Sequence, residues 1–191
     1  MAAETRDRIL DTTAELFRRY GYTGTGLKQI VAQANAPFGS IYHFFQGGKQ
    51  HLGEEVIRRS GRMYQELVEA VFDGAPDIVT GTSDVFTGAA AVLQETDYVD
   101  ACPIETVALE VASTNEPLRR ATAEVFESWI ASATNRLAEA GIEQGRAREL
   151  AIAIITSLEG AFVLSRAMRS PEALLAAGET ATAAVRNALD H

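Results

Sequence analysis

The stretch from Gly21 to Lys49, GYTGTGLKQIVAQANAPFGSIYHFFQGGK, constrains the fold more than any other part of the chain. Leu27, Ile30, Val31 and Ala34 recur at helical spacing, which predicts a short helix with one apolar face and Thr25 as its N-cap. That helix must stop at Asn35. A tight turn between helices needs a residue at positive φ, and after Gly the residue that tolerates this best is Asn, whose short polar side chain bonds its own backbone. Pro37 then blocks continuation of the first helix. A second short helix is predicted over 38–45, with Ile41, Phe44 and Phe45 turned inward and Phe38, Gly39, Ser40 and His43 left on the exposed N-terminal side. Two helices joined in this way form a helix-turn-helix, a motif whose second helix fits the DNA major groove and meets base edges with its N-terminal residues.

The remainder reads as helix throughout, with neither strand alternation nor a two-residue hairpin signal, so the expected class is all-α with about nine helices. A first helix over 5–20 braces the motif, buries Ile9, Leu16, Phe17 and Tyr20, and ends on Gly21 as a left-handed C-cap. A long helix over 49–72 places Leu52, Val56, Met63, Tyr64, Leu67 and Val71 on one stripe and closes at Gly74-Ala75-Pro76. Further helices are predicted over 83–94, 103–113, 116–140, 145–169 and 171–189, with Asn115 and Ser170 as N-caps before Pro117 and Pro171. The expected organisation is a helix-turn-helix domain over 1–48 and a helical body over 49–191.

The segment 150–164 is apolar on more than one face, so it must be covered on both sides, and Gly160 and Ala161 permit close helix approach. Either this helix and the last one, with Leu174, Leu175, Val185 and Leu189, complete the core of one subunit, or they pair with a second copy. Symmetry favours the second copy, because one helix-turn-helix contacts too few bases and a two-fold pair reads two half-sites.

A net charge of −9 by itself argues against nucleic acid, but the charge is unevenly spread. Residues 1–52 hold six cations (Arg6, Arg8, Arg18, Arg19, Lys28, Lys49) against four acids (Glu4, Asp7, Asp11, Glu15), a net of +2 that leaves −11 for the rest. Such a split turns the N-terminal part toward a polyanion, although an accidental asymmetry of a solvated surface gives the same count. Cys102 is the single cysteine, which excludes an intrachain disulfide. The start of the chain is charged and helical rather than signal-like, and no apolar run is expected to reach the roughly 18 residues that span a bilayer. No membrane contact and a cytoplasmic location are expected.

The segment resembles the DNA-binding domain of the TetR family of bacterial repressors, with Phe17, Gly21, Ile30, Gly39, Tyr42, Phe45, Lys49 and Leu52 matching in order. PFGSIYHFFQGGK, ACPIETVALE at 101–110 and LEGAFVLSRA at 158–167 resemble the multidrug-responsive LmrA/YxaF-like branch. Three positions depart from the pattern: Val31 where Ala is usual, Asn35 where Gly is usual, and Phe38 where Lys or Arg is frequent. The last removes a cation from the reading end.

The resemblance implies a two-fold DNA operator as partner, with Thr25, Lys28, Phe38, Gly39, Ser40, Tyr42, His43 and Lys49 as contacts. It implies that Tyr42 gives its hydroxyl to a phosphate; without it, a Tyr in a small helical domain is more often a core residue with a wet hydroxyl. Lys49 follows Gly47-Gly48 at a helix start, where backbone N–H groups suit phosphate. Lys28 is a phosphate contact or a solvated lysine. Phe38 offers apolar contact to a thymine methyl or packs on the preceding turn. His43 is a candidate base or phosphate contact, and with only His43, His51 and His191 in the chain there is no paired-histidine metal signal.

The resemblance also implies a small-molecule effector in the body, near Met63, Tyr64, Phe86, Cys102, Glu110, Phe126, Trp129 and Phe162, and a homodimer through 145–169 and 171–189. Aromatics at helical spacing are core far more often than pocket, and Glu105, Glu110 and Glu159 could face a cationic compound, although an acidic residue on a helix is usually solvated. Cys102 has no basic neighbour in sequence that would make its thiol reactive. The expected function is a ligand-responsive repressor; a DNA-binding regulator with no small-molecule effector is the alternative. Enzyme is disfavoured, since there is no phosphate-cradling Gly loop, HExxH or nucleophile elbow, and neither cofactor nor metal is expected.

Overall fold

The computed structural model describes residues 2–100 and 102–190; Met1, Ala101 (the first residue of the 101–110 segment) and His191 lie outside the described residues. Nine helices follow in chain order among the described residues: α1 (Ala2–Tyr20), α2 (Leu27–Gln33), α3 (Gly39–Phe44), α4 (Gly48–Gly74), α5 (Ile78–Glu95), α6 (Pro103–Val111), α7 (Glu116–Glu139), α8 (Gln144–Met168) and α9 (Glu172–Leu189). The same residues hold no strand.

Helix ends follow local chemistry, and several differ from expectation. Asn35 takes φ 49° as predicted, and the Ala36 amide returns to the Val31 carbonyl (2.9 Å), which closes α2 in a left-handed turn. Gly26, not Thr25, caps the start of α2; Thr25 is fully buried and donates its hydroxyl to the Gly21 carbonyl at 2.7 Å. Helix α5 begins five residues before the predicted Ser83, because the Asp77 carboxylate accepts from the Thr80 amide and caps it. Asn115 caps α7 as predicted, accepting from the Leu118 amide. At the start of α9 the flanking residue is Pro171, which offers no capping side chain, and the Ser170 hydroxyl accepts from the Glu172 amide at 3.3 Å, the bond expected of a cap. Tyr20 is exposed rather than buried, because the left-handed turn at Gly21 ends α1 beside it.

The chain divides into two compact units, Met1–Arg62 with Cys102–Val125, and Met63–Ala101 with Phe126–His191. The boundary expected at 48/49 therefore lies inside the first unit. In that unit α1 packs on α2, α3 and α6, and its buried residues include Ile9, Leu16, Phe17, Ile30, Ile41, Phe45, Leu52, Val56, Ile104, Val107 and Leu118. Gly61 holds the first half of α4 against the end of this unit's α7 segment, since a Cβ there would meet Val125 Cγ1 at 2.5 Å. Burial of some 150–250 Å² for each large aromatic makes such a core the main stabilising term.

In the second unit α9 packs along α5 and α8. Phe86, Ala90, Leu93, Ala161, Leu174 and Ala181 form one cluster, and Gly178 lets α9 approach Phe86 so closely that a Cβ would stand 2.7 Å from that of Phe86. A second cluster joins Leu137, Ile142, Ala147, Leu150, Ala151 and Val185. On α4 beyond Arg62 the predicted stripe is not a buried face, since Met63 and Leu67 are exposed.

Helix α8 corrects one expectation. By length and composition it is long and apolar enough to cross a bilayer, with a mean hydropathy of 1.6 over a window of which 22% is buried. The reason is the clustering of Arg146, Arg148 and Glu149 at its start, which leaves the following turns apolar on several faces. One face packs against α9; Ile152, Val163, Leu164 and Met168 remain exposed.

Candidate nucleic-acid interface

Helix α3 is held from below by Ile41 and Phe45, both fully buried, and this orientation turns Phe38 (44% exposed) and Tyr42 (54% exposed) outward. Their rings meet edge to face at 6.1 Å between centroids, a geometry aromatic pairs favour. Gly39 and His43 are exposed and Ser40 is half-buried; the His43 ring rests on Phe44 at 4.7 Å. The Phe38, Gly39, Ser40, Tyr42 and His43 set predicted for this end therefore shares one short helix and its cap.

The start of α4 adjoins this helix. Gly48 takes φ +62°, and a Cβ there would lie 3.5 Å from Tyr42 Cε1, so the Tyr42 ring stands beside the backbone from which Lys49 springs. Lys49 is half-buried and its ammonium lies 4.3 Å from the centroid of the Tyr22 ring, within cation–π range. Partial burial pulls the Lys49 ammonium below the usual lysine value, and the negative charge of Glu110 opposes that shift. Tyr22, which the sequence did not single out, is thus the platform of Lys49, and it packs edge to face on Phe17 at 5.7 Å.

One expected feature changes. Thr25 is buried and bonded inward, so its side chain presents no surface to a phosphate. Lys28 is exposed on α2. The ion pairs Arg8–Glu4 at 3.6 Å and Arg19–Glu15 at 3.2 Å lie within the net of +2 counted for residues 1–52; from outside it, Glu55 pairs with Arg6, and Arg59 pairs with Asp7 at 3.1 Å and Asp11 at 3.0 Å.

Glu110, predicted beside an effector, is engaged elsewhere. Its carboxylate accepts from the Tyr22 amide at 3.0 Å and from the Thr23 amide at 2.7 Å. Both amides belong to the turn that joins α1 to α2. No sequence signal announces this pairing beyond an acidic residue beside the buried Val107 and Val111 of α6.

The other body residues are divided. Cys102 is buried in the first unit, where it precedes α6. Phe86 is fully buried in the α5–α9 cluster, and Phe162 packs against the same cluster. Phe126 and Trp129 are half-buried and meet edge to face at 5.7 Å. Tyr64 is half-buried and Met63 exposed. Among the described residues no group of three or more His, Cys, Asp or Glu side chains is arranged to hold a metal ion.

Comparison with known proteins shows the family and the fold. Residues 9–56 match the bacterial regulatory proteins of the tetR family, and residues 79–180 match the transcriptional regulator LmrA/YxaF-like C-terminal domain. The chain is 33% identical to the HTH-type transcriptional regulator YxaF of Bacillus subtilis over 96% of each chain. It is 30% identical to the HTH-type transcriptional regulator LmrA of the same organism, covering 90% of this chain and 92% of LmrA. The crystal structure of a regulatory protein TetR from Rhodobacter sphaeroides superposes with a TM-score of 0.84 over 93% of this chain and 97% of that one, at 21% identity.

Proposed function

Because the chain belongs to the TetR family and carries the LmrA/YxaF-like C-terminal domain, it is a DNA-binding transcription regulator, and we propose that it is a cytoplasmic homodimeric repressor released from its operator by a small apolar or amphipathic molecule. The observation that carries the DNA half is the outward face of α3: Ile41 and Phe45 anchor it while Phe38, Tyr42 and His43 stay in solvent. In this reading Phe38, Gly39, Ser40 and His43 meet base edges, and Tyr42 and Lys49 hold phosphates. Lys28 adds an outlying phosphate contact. Phe38 in place of a cation directs the reading end toward thymine methyl groups.

The dimer half rests on the exposed residues of α8 and α9. Ile152, Val163, Leu164, Met168, Leu175 and Leu189 are all exposed in the single chain, and apolar side chains left in solvent on these two helices are what a second copy would cover. Segments 145–169 and 171–189 would meet their symmetry mates in a four-helix bundle, placing two α3 helices for two half-sites. Residues 49–191 then act as the sensing and dimerising part and 1–48 as the reading part. The sensing role draws on Tyr64, Phe126, Trp129 and Phe162, half-buried aromatic side chains of the second unit. A 100-fold release from DNA requires only about 2.7 kcal/mol of differential ligand binding between two states.

Selection of bound duplexes from random DNA by the full chain tests the DNA half, with a two-fold-related consensus as the expected result. Titration with a panel of hydrophobic and cationic compounds tests the rest: some should change Trp129 fluorescence saturably and release the selected duplex over the same concentration range. No responsive compound in such a panel would favour a regulator without a small-molecule effector.

A further inference from the structure

Helix α1 ends at Gly21, whose φ of +71° is the left-handed turn, and the Gly21 amide returns to the Phe17 carbonyl at 3.0 Å. In the fuller version of this turn the next amide also goes back to the helix. Here it does not. The Tyr22 and Thr23 amides point instead to the two carboxylate oxygens of Glu110 on α6, at 3.0 and 2.7 Å. Room for that carboxylate exists because residue 21 has no side chain: a Cβ there would collide with Glu110. The same turn is tied on its other side by the Thr25 hydroxyl on the Gly21 carbonyl, and its Tyr22 ring supports the Lys49 ammonium.

We propose that Glu110 is a positioning residue for DNA reading, a carboxylate clamp on the α1–α2 turn that fixes the angle at which α2 leaves α1 and the place of the Tyr22 platform under Lys49. The proposal rests on the DNA-binding reading and adds a residue that lies outside 1–48. Its logic runs against simple electrostatics. An acid close to a phosphate-binding lysine repels DNA and attracts the lysine inward, so neutralising a merely solvated Glu would tighten DNA binding. A clamp predicts the opposite sign. Two amide bonds to a charged acceptor hold the turn, and a reading surface tolerates only small displacements of its supporting shell.

The experiment compares the full-length wild type with Glu110→Gln and Glu110→Asp, using the selected operator duplex across a range of salt. Glu110→Gln keeps the shape but gives up the charge and one acceptor oxygen. Glu110→Asp keeps the charge but withdraws the carboxylate by one methylene. Both should weaken operator affinity about tenfold with an unchanged salt slope, and both should speed hydrogen exchange of the Tyr22 and Thr23 amides while α3 amides hold their protection. Tighter binding by Glu110→Gln, or wild-type affinity in Glu110→Asp, would overturn the clamp and leave Glu110 as a charge acting on Lys49. Failure of the wild type to select any duplex would instead strike the DNA-binding reading itself. Should Glu110→Gln not fold, Glu110→Asp decides by the same two readouts.

Discussion

The two compact units differ both in what they bury and in how they finish their surfaces: the first packs many large aliphatic and aromatic side chains, the second a core richer in alanine. In the first, Ile9, Leu16, Phe17, Ile30, Ile41 and Phe45 are fully or almost fully withdrawn from water, and the large apolar side chains left outside on the helix-turn-helix face are aromatic, Phe38 and Tyr42. In the second, Phe86 and Leu174 are equally buried, yet aliphatic residues of α8 and α9 stay in solvent. An exposed aromatic edge beside a lysine suits a ligand with both charge and flat apolar edges, which is what a DNA groove presents. An exposed aliphatic surface suits only another apolar surface, and a second copy of the same helices supplies one. On the proposed function, the contrast is between a face that meets a polyanion and a face that meets a second copy.

The largest effect that would break this contrast is on stability. Phe17→Ala in the first unit should destabilise the folded chain by about 3 to 5 kcal/mol, because it leaves a cavity in a closed core, whereas Leu164→Ala, at a 54% exposed position, should change monomer stability little. Denaturant titrations at low protein concentration check both, and a large loss in Leu164→Ala would mean that α8 completes a monomer core.

Association is the next largest effect. Leu164→Glu should convert a micromolar dimer to monomer in sedimentation and lower affinity for a two-site duplex by about 100-fold, roughly 2.7 kcal/mol. Ala161 is unsuitable for this purpose, since it is buried inside its own unit and Ala161→Glu would unfold the chain rather than split it.

A smaller effect tests the first unit's face. Lys49→Ala should weaken binding to all sequences alike and reduce the salt slope by about one, whereas Phe38→Ala should matter only where thymine is present and should be mimicked by replacing thymine with uracil. Gel-shift titrations over a salt series distinguish the two.

The smallest effect lies at the start of α7. Hydrogen bonds from Arg119 and then Arg120 lower the exposed Glu116 carboxyl from 4.5 to about 2. A carboxyl whose folded value is depressed contributes stability above its unfolded value and loses it as pH falls toward the folded one. Thermal midpoints of the wild type and Glu116→Gln should therefore differ slightly at pH 6 and converge between pH 4.5 and about 2. Solvent screening keeps the difference small.

Much of the reading face was legible because its determinants are local. Asn35 and Pro37 dictate the turn, and the spacing of Ile41 and Phe45 dictates which side of α3 faces out. An error arose where two neighbours competed for one role: Gly26 rather than Thr25 caps α2. Thr and Gly rank almost equally at a helix N-cap, and packing then chooses, here by burying Thr25. Tyr20 shows the same limit, since its apolar spacing predicts burial but the chain turns away at Gly21 before any element covers it.

The sequence by itself determined the helical class, the helix-turn-helix and the excess of apolar surface on 150–164, because helix periodicity and turn chemistry act over a few adjacent residues. Only the tertiary structure decided that Glu110 serves the Tyr22 and Thr23 amides, that Arg6 is neutralised by Glu55, and that Ala161 faces inward while Leu164 faces out. A carboxylate can accept from any donor that the fold brings within about 3 Å, and a periodic pattern says which residues share a face without saying what will lie opposite it. Those partners are set by how distant segments pack, and no local rule contains that information.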